Sequence, residues 1–259
     1  MKKLLSLLCA ASLALSLAAC GASADTNTNT NTTAPVAGTL YSLENATVLT
    51  FTDSGITAQD GSDTGYEIDG MALTITDAGT YAVTGTCADG SITVKKGATG
   101  VTLVLNGLAL TSADTAPITC NKSTQVTIVA AEGSVNSLTD SAKNNDDESP
   151  DNEAAENAVI KCKDGSQVTL CGTGSLTVTA NGKNGIKSGA TTAEEGEASL
   201  TIRELTLIIN APINDAINAE QTLNVESGTL TISAAADDAI HSDLVLNIGA
   251  EGTDGPTIT

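Results

Sequence analysis

The chain has 259 residues, 31 acidic against 11 basic side chains for a formal charge of −20, no tryptophan, and only 2% aromatic residues. A balance this acidic excludes nucleic acid as a partner, because phosphates need a basic surface; it fits an extracellular protein or a binder of cations. The apolar mass is Ala, Val, Leu and Ile, mixed with Thr and Gly, and that composition favours strands over helices.

The chain begins with Lys2 and Lys3, then the apolar run LLSLLCAASLALSLAA, which ends in LAAC at Cys20. A basic start, an apolar stretch and small residues before a cysteine make a secretory signal with the look of a bacterial lipobox. Residues 1–19 are expected to be cleaved and Cys20 to carry lipid, which anchors the mature protein to the bacterial membrane, outside the cytoplasm. Residues 20–45, with ASADTNTNTNTTAPVAG at their centre, read as a polar, low-complexity tether. No later stretch is apolar enough to cross a bilayer. Cys87, Cys120, Cys162 and Cys171 then remain in an oxidising compartment, where disulfides form. They contain no CxxC spacing, so a zinc site is not indicated.

Residues 46–259 read as one all-β domain. The part from Ala46 to Val94 is strand-like but repeats poorly, and it is expected to cap the N-terminal end. Beyond it an element repeats: Ile118 in API, Ile160 in AVI, Ile186 in NGI, and Ile217 and Ile240 in DAI. Insertions at Asp140–Asn157 and Ala190–Glu197 lengthen two of the intervals. Without them the unit is about 23–26 residues, a period that signals a solenoid. Each unit holds short alternating segments, among them VTIV at Val126, SLTV at Ser175, SLTI at Ser199 and TLTI at Thr229. Alternation puts one face in and one face out. About three such strands per unit describe a parallel β-helix whose coils stack ~4.8 Å apart. Leu223, Val225, Leu230 and Ile232 should pack on Leu200, Ile202, Leu207 and Ile209, with Thr201, Thr206 and Thr231 outward. An antiparallel sandwich would need a turn every ~8–12 residues and more aromatics. The chain stops as a new strand begins, so the domain is expected to be C-terminally incomplete.

Stacking turns equivalent positions into rows. Two and three residues before each marker isoleucine stand Asn157-Ala158, Lys183-Asn184, Asn214-Asp215 and Asp237-Asp238. Carboxylates ~4.8 Å apart repel and call for a cation, and hard oxygen ligands suit Ca²⁺. Asn184, Asn214, Asp215, Asp237, Asp238 and Asp243 are the candidate metal ligands, with Glu220 a further acid close by. The alternative is an Asn/Asp ladder that only satisfies turn backbones. Lys161 and Lys187 each directly follow a marker isoleucine, so they should share a face and bind carboxylates. A lysine beside calcium also supplies a base for a uronate lyase if its pKa is lowered. His241 is read as a surface residue, and the acidic stretch Asp140–Glu156 as a solvated, mobile loop. Cys120 and Cys162 fall on adjacent coils, where either a strained disulfide or a buried thiol stack is open.

The runs LTITDAGTYAVTGTCADGSITV, VTLVLNGLALTSADTAPI, GTGSLTVTANGKNGIKS and INDAINAEQTLNVESGTLTISAAADDAIHS resemble, in order, the bacterial carbohydrate-binding domain family of surface proteins. The resemblance runs from about Val48 to the C-terminus. It implies a right-handed parallel β-helix, bound calcium, similarity to pectate-lyase folds without established catalysis, and binding of polygalacturonate-like acidic polysaccharide. Carried over by motif, Asn184, Asp215 and Asp238 fall among the metal-site positions. The chain departs from the family pattern at Ala216 and Ala239, where glycine often stands. The expected function is therefore a lipid-anchored, monomeric, calcium-dependent carbohydrate-binding protein with no catalytic residues. The alternatives are a calcium-dependent polysaccharide lyase, and a structural spacer or adhesin without a glycan ligand.

Overall fold

A computed structural model describes residues 41–59 and 64–259. The signal, the lipidated Cys20 and the tether up to residue 40 lie outside the described residues. Among those described, all regular structure is extended: 22 strands and no helix. The N-terminal part holds β1 (Thr47–Thr52), β2 (Gly55–Gln59), β3 (Tyr66–Asp69), β4 (Ala72–Ile75), β5 (Gly79–Cys87) and β6 (Ser91–Val94). It is followed by the long β7 (Val101–Thr111). Five circuits then repeat a pattern. They are β8 (Ile118–Cys120), β9 (Gln125–Ala130) and β10 (Val135–Thr139); β11 (Ala158–Cys162), β12 (Gln167–Cys171) and β13 (Ser175–Thr179); β14 (Asn184–Ser188), β15 (Ser199–Ile202) and β16 (Thr206–Ala211); β17 (Ile217–Ala219), β18 (Thr222–Val225) and β19 (Gly228–Ala235); and β20 (Ile240–Ser242), β21 (Val245–Ile248) and β22 (Pro256–Ile258).

Each circuit adds one strand to each of three parallel ladders. The first is β6-β8-β11-β14-β17-β20. The second and third are β9-β12-β15-β18-β21 and β10-β13-β16-β19-β22, joined through β7, which pairs with β9 and with β10. The marker isoleucines prove to be register partners: Ile118 with Ile160, Ile160 with Ile186, Ile186 with Ile217, and Ile217 with Ile240. Leu200 and Ile202 pair with Leu223 and Val225, and Leu207 and Ile209 with Leu230 and Ile232, as the alternation predicts. Ile118, Ile160, Ile186 and Ile217 are fully buried. No single circuit encloses them; neighbouring layers do, which is why stacking is the source of stability. In the last layer, Leu246 and Ile248 pair with buried Leu223 and Val225 but remain 42% and 58% exposed.

At the other end two antiparallel hairpins form the edge. The β1–β2 hairpin lies against β5, and β3–β4 lies against β6. Both insertions fall in connections, between β10 and β11 and between β14 and β15.

The acidic insertion is solvated at Asp146, Asp147, Glu148, Asp151 and Glu153, as expected, but not throughout. Asp140, Asn144 and Asn145 are buried within it. Asp140 Oδ1 accepts the backbone N–H groups of Asn181 (2.6 Å) and Gly182 (3.1 Å), and its Oδ2 accepts from Asn144 Nδ2 (2.9 Å). Asn144 Oδ1 in turn accepts the N–H groups of Glu156 and Asn157. Counting acids missed this, because a carboxylate surrounded by backbone donors is satisfied out of water. Burial still pushes the Asp140 carboxyl above its usual range, against the pull of those hydrogen bonds.

The second insertion also folds back. Glu195 meets Lys96 at 2.6 Å and accepts the Ser123 hydroxyl at 2.8 Å, with Lys122 at 3.9 Å. These contacts hold its carboxyl below the usual range, the hydrogen bond from Lys96 most of all.

Cys120 and Cys162 are fully buried register partners and carry free thiols, as do Cys87 and Cys171. The hydrogen bond to Cys162, followed by burial, drives the Cys120 pKa well up. The thiol stack is the arrangement found.

Candidate functional site

The corner that leads from the third ladder into the first is built from Asn and Asp. These side chains accept backbone N–H groups in turns and relieve the main chain of its own pairing. Here the acceptor reaches across circuits. Asp89 Oδ1 takes the N–H of Ala113, Asp140 Oδ1 that of Asn181, and Asp215 Oδ1 that of Asp238. The exit of the acidic insertion joins the same row: Asn157, at φ 62, accepts both the backbone N–H and the side-chain Nδ2 of Asn184 through its carbonyl. Asn184 Oδ1 accepts from Asn214 Nδ2 at 2.8 Å.

At the end of the row the carboxylates gather. One oxygen each from Asp215, Asp237 and Asp238 lies within 4.8 Å of the others. Asp215 is buried, while Asp237 and Asp238 are exposed. Asp215 Oδ2 accepts from Asn218 Nδ2 at 2.6 Å. Both Asp215 oxygens therefore hold one hydrogen bond each, and each carboxylate oxygen has a second lone pair to offer.

Asp243 stands apart from that group. Its Oδ1 contacts His241 Nε2 at 2.8 Å, and His241 Nδ1 faces Asp238 Oδ2 at 3.2 Å. The hydrogen bonds to Asp243 and Asp238 raise the His241 pKa above its ordinary value. Glu220 is likewise taken, by Lys187 at 3.1 Å.

Position 185 shows how close the backbones come. A Cβ there would lie 2.5 Å from the Ala216 carbonyl oxygen and 2.6 Å from Ile209 Cγ2. The next layers carry Ala216 and Ala239 instead, so the glycine is required at one level and not at its neighbours.

Lys161 and Lys187 are register partners on the outer side of the first ladder. The row continues to Thr119 on one side and to Asn218 and His241 on the other. Burial, and then the neighbouring Lys187 charge, hold the Lys161 pKa below the usual lysine range. Asn218 and His241 were not singled out as site residues from the sequence. The signal was present, since each directly follows a marker isoleucine, as the two lysines do.

The aromatic side chains are poorly placed for stacking on sugar rings. Phe51 and Tyr81 are in the core. Tyr41 and Tyr66 are half-buried in the N-terminal part.

Comparison with known proteins agrees with this architecture. A carbohydrate-binding domain-containing protein of Acetivibrio thermocellus is 37% identical over 125 residues, which span 46% of this chain and 42% of that protein. The match thus covers less than half of the relative's length. Among solved structures, a polysaccharide lyase-like protein from C. thermocellum, determined as a gadolinium derivative, superposes with a TM-score of 0.56 at 26% identity. That alignment takes in 80% of this chain and 98% of the other. Residues 69–249, which include every strand from β4 to β21, match the family described as carbohydrate-binding domain-containing protein, and the chain belongs to that family.

Proposed function

We propose that the protein is a lipid-anchored, extracytoplasmic module that binds acidic polysaccharide of the polygalacturonate type in a calcium-dependent way. The observation that carries this reading is the convergence of Asp215, Asp237 and Asp238 at one corner. The donor chemistry fits a hard divalent cation: three carboxylates, one fixed by hydrogen bonds from Asn218 and the Asp238 backbone, two open to solvent. Calcium takes ~6–8 oxygen ligands, so these three would hold only part of its shell. When bound, it would supply the positive charge that protein and uronate carboxylates share. A chain at −20 otherwise repels a polyanion.

The family and the lyase-like neighbour support a glycan as the ligand. The fold reading that goes with it is a right-handed parallel β-helix. Three ladders visited in constant order support the helix, and the strong right-handed preference of parallel crossovers supports the hand. The anchoring reading rests on Cys20 and the small residues before it.

The deciding experiment is titration with polygalacturonate in calcium and in chelator, with elemental analysis of the dialysed protein. Binding is expected only in calcium. Equal binding in both conditions removes the bridging mechanism.

One observation favours a second reading, that of a polysaccharide lyase. Lys161 has its pKa lowered by burial and by Lys187, and a more readily deprotonated amine is a better base. Accumulation of an unsaturated, ultraviolet-absorbing product from polygalacturonate, abolished in Lys161→Gln, would establish it.

A further inference from the structure

Most lysines of the described residues have a carboxylate close by, and exposed Lys95 is solvated instead. Lys163 pairs with Glu156 at 2.6 Å, Lys187 with Glu220 at 3.1 Å and Lys122 with Asp164 at 3.4 Å. Lys183 pairs with Asp147. Lys161 sits among these and differs from them. Among the described residues its ammonium makes no hydrogen bond and no ion pair, although the residue is half-buried. Its register partner on one side is another ammonium, Lys187, and on the other Thr119. Partial burial and a like charge both disfavour an ammonium group. Glu156 and Glu220 act on it electrostatically while paired with other lysines. The arrangement is that of a cation whose counter-ion is not supplied by the chain.

We infer that Lys161 is the specificity residue of the glycan-binding face, receiving a sugar carboxylate directly from the ligand, with Lys187 held in place beside it by Glu220. This rests on the acidic-glycan reading above and deepens it. The row Lys161–Lys187–Asn218 connects the lysines to the carboxylate corner, because Asn218 donates to Asp215. A chain lying along the row meets an ammonium first and the acidic corner two strands later, at ~4.8 Å per strand. The lysine contact differs from the cation contact in kind. It is a charge-assisted hydrogen bond, it needs a free carboxylate, and it does not itself use the cation. Lys187 cannot take the role equally, because its ammonium is already neutralised by Glu220.

The test is calorimetric titration in calcium with three ligands: polygalacturonate, its fully methyl-esterified form and dextran sulfate. The proteins are the wild type, Lys161→Gln, Lys161→Met, Lys161→Arg and Lys187→Gln. Lys161→Gln and Lys161→Met are expected to weaken polygalacturonate binding about tenfold, the effect of one charge-assisted contact. Lys161→Arg, which keeps the charge, should stay within about threefold of wild type. The melting temperature of Lys161→Met should not fall, since the change removes a poorly solvated charge from beside Lys187. Unchanged polygalacturonate binding in Lys161→Gln and Lys161→Met overturns the inference and leaves the glycan reading intact. A wild-type protein that binds only the esterified form overturns this inference together with the acidic-glycan reading. An equal loss for dextran sulfate overturns the assignment to carboxylate. A wild-type protein that binds no glycan at all overturns this inference and the proposed function together.

Discussion

Asp215 and Asp238, 23 residues apart in the chain, are joined by a 3.0 Å hydrogen bond from the backbone N–H of Asp238 to Asp215 Oδ1. The contact gives Asp215 two duties. It closes the corner between one circuit and the next, and it presents a fixed carboxylate beside Asp237 and Asp238. Under the proposed calcium site, structural and ligand-binding demands would fall on one side chain, and mutation should separate them.

The Asp238 carboxylate is exposed and, among the described residues, contacts only the His241 ring at 3.2 Å and no backbone N–H. Asp238→Asn is expected to change stability by no more than ~0.5 kcal/mol while reducing calcium affinity. Asp215→Ala should cost ~1–3 kcal/mol, because it leaves the Asp238 N–H and the Asn218 amide without their acceptor. Melting curves in chelator give the stability effect, and calcium-dependent shifts in the same curves give the affinity. A protein whose melting temperature ignores calcium up to millimolar concentration has no site here.

His241 is the single histidine of the chain, so its titration can be followed by proton NMR without assignment. Its midpoint is expected above the ordinary value of 6.5, through hydrogen bonds to Asp243 and Asp238. Asp243→Asn should bring it down. By linkage, a raised folded-state pKa contributes stability that is fully present below the unfolded pKa and is lost as pH rises through the folded one. A wild-type midpoint at or below 6.5 contradicts the geometry.

Glu195 ties its insertion to Lys96, Lys122 and Ser123. Its folded pKa is depressed, so its contribution is present above the unfolded value and lost as pH falls through the folded one. Glu195→Gln should therefore melt below wild type at neutral pH, and the two curves should converge in acid. A gap that persists at a pH well below the depressed folded pKa, where both side chains are uncharged, would mean the contact is not electrostatic.

Ile186 is fully buried in the middle of the isoleucine row, with Ile160 and Ile217 as register partners. Ile186→Ala is expected to cost ~2–5 kcal/mol, as large-to-small changes in packed cores do. Val135, 75% exposed at the start of β10, is the control: Val135→Ala should stay within ~0.5 kcal/mol. Chemical denaturation of the two variants compares them directly.

Much of this architecture was legible before any coordinates. Isoleucines at 118, 160, 186, 217 and 240 could be aligned once the insertions were set aside, and their pairing then followed. Parallel stacking repeats the same chemical environment at each layer, so each layer selects the same residue type. The buried Asp140 end of the acidic insertion was not legible, for the opposite reason. Nothing repeats there, and only the fold shows that the backbone N–H groups of Asn181 and Gly182 point at Asp140.

The sequence alone determined the strand period, the core rows and the outward face that carries Lys161 and Lys187, because alternation and repeat length are properties of the chain itself. Tertiary structure decided the pairing of charges: Glu220 goes to Lys187, Asp243 to His241, and Lys161 is left without a partner among the described residues. Those choices depend on where side chains from different circuits end, and a distance of a few ångströms between residues far apart in sequence leaves no periodic trace.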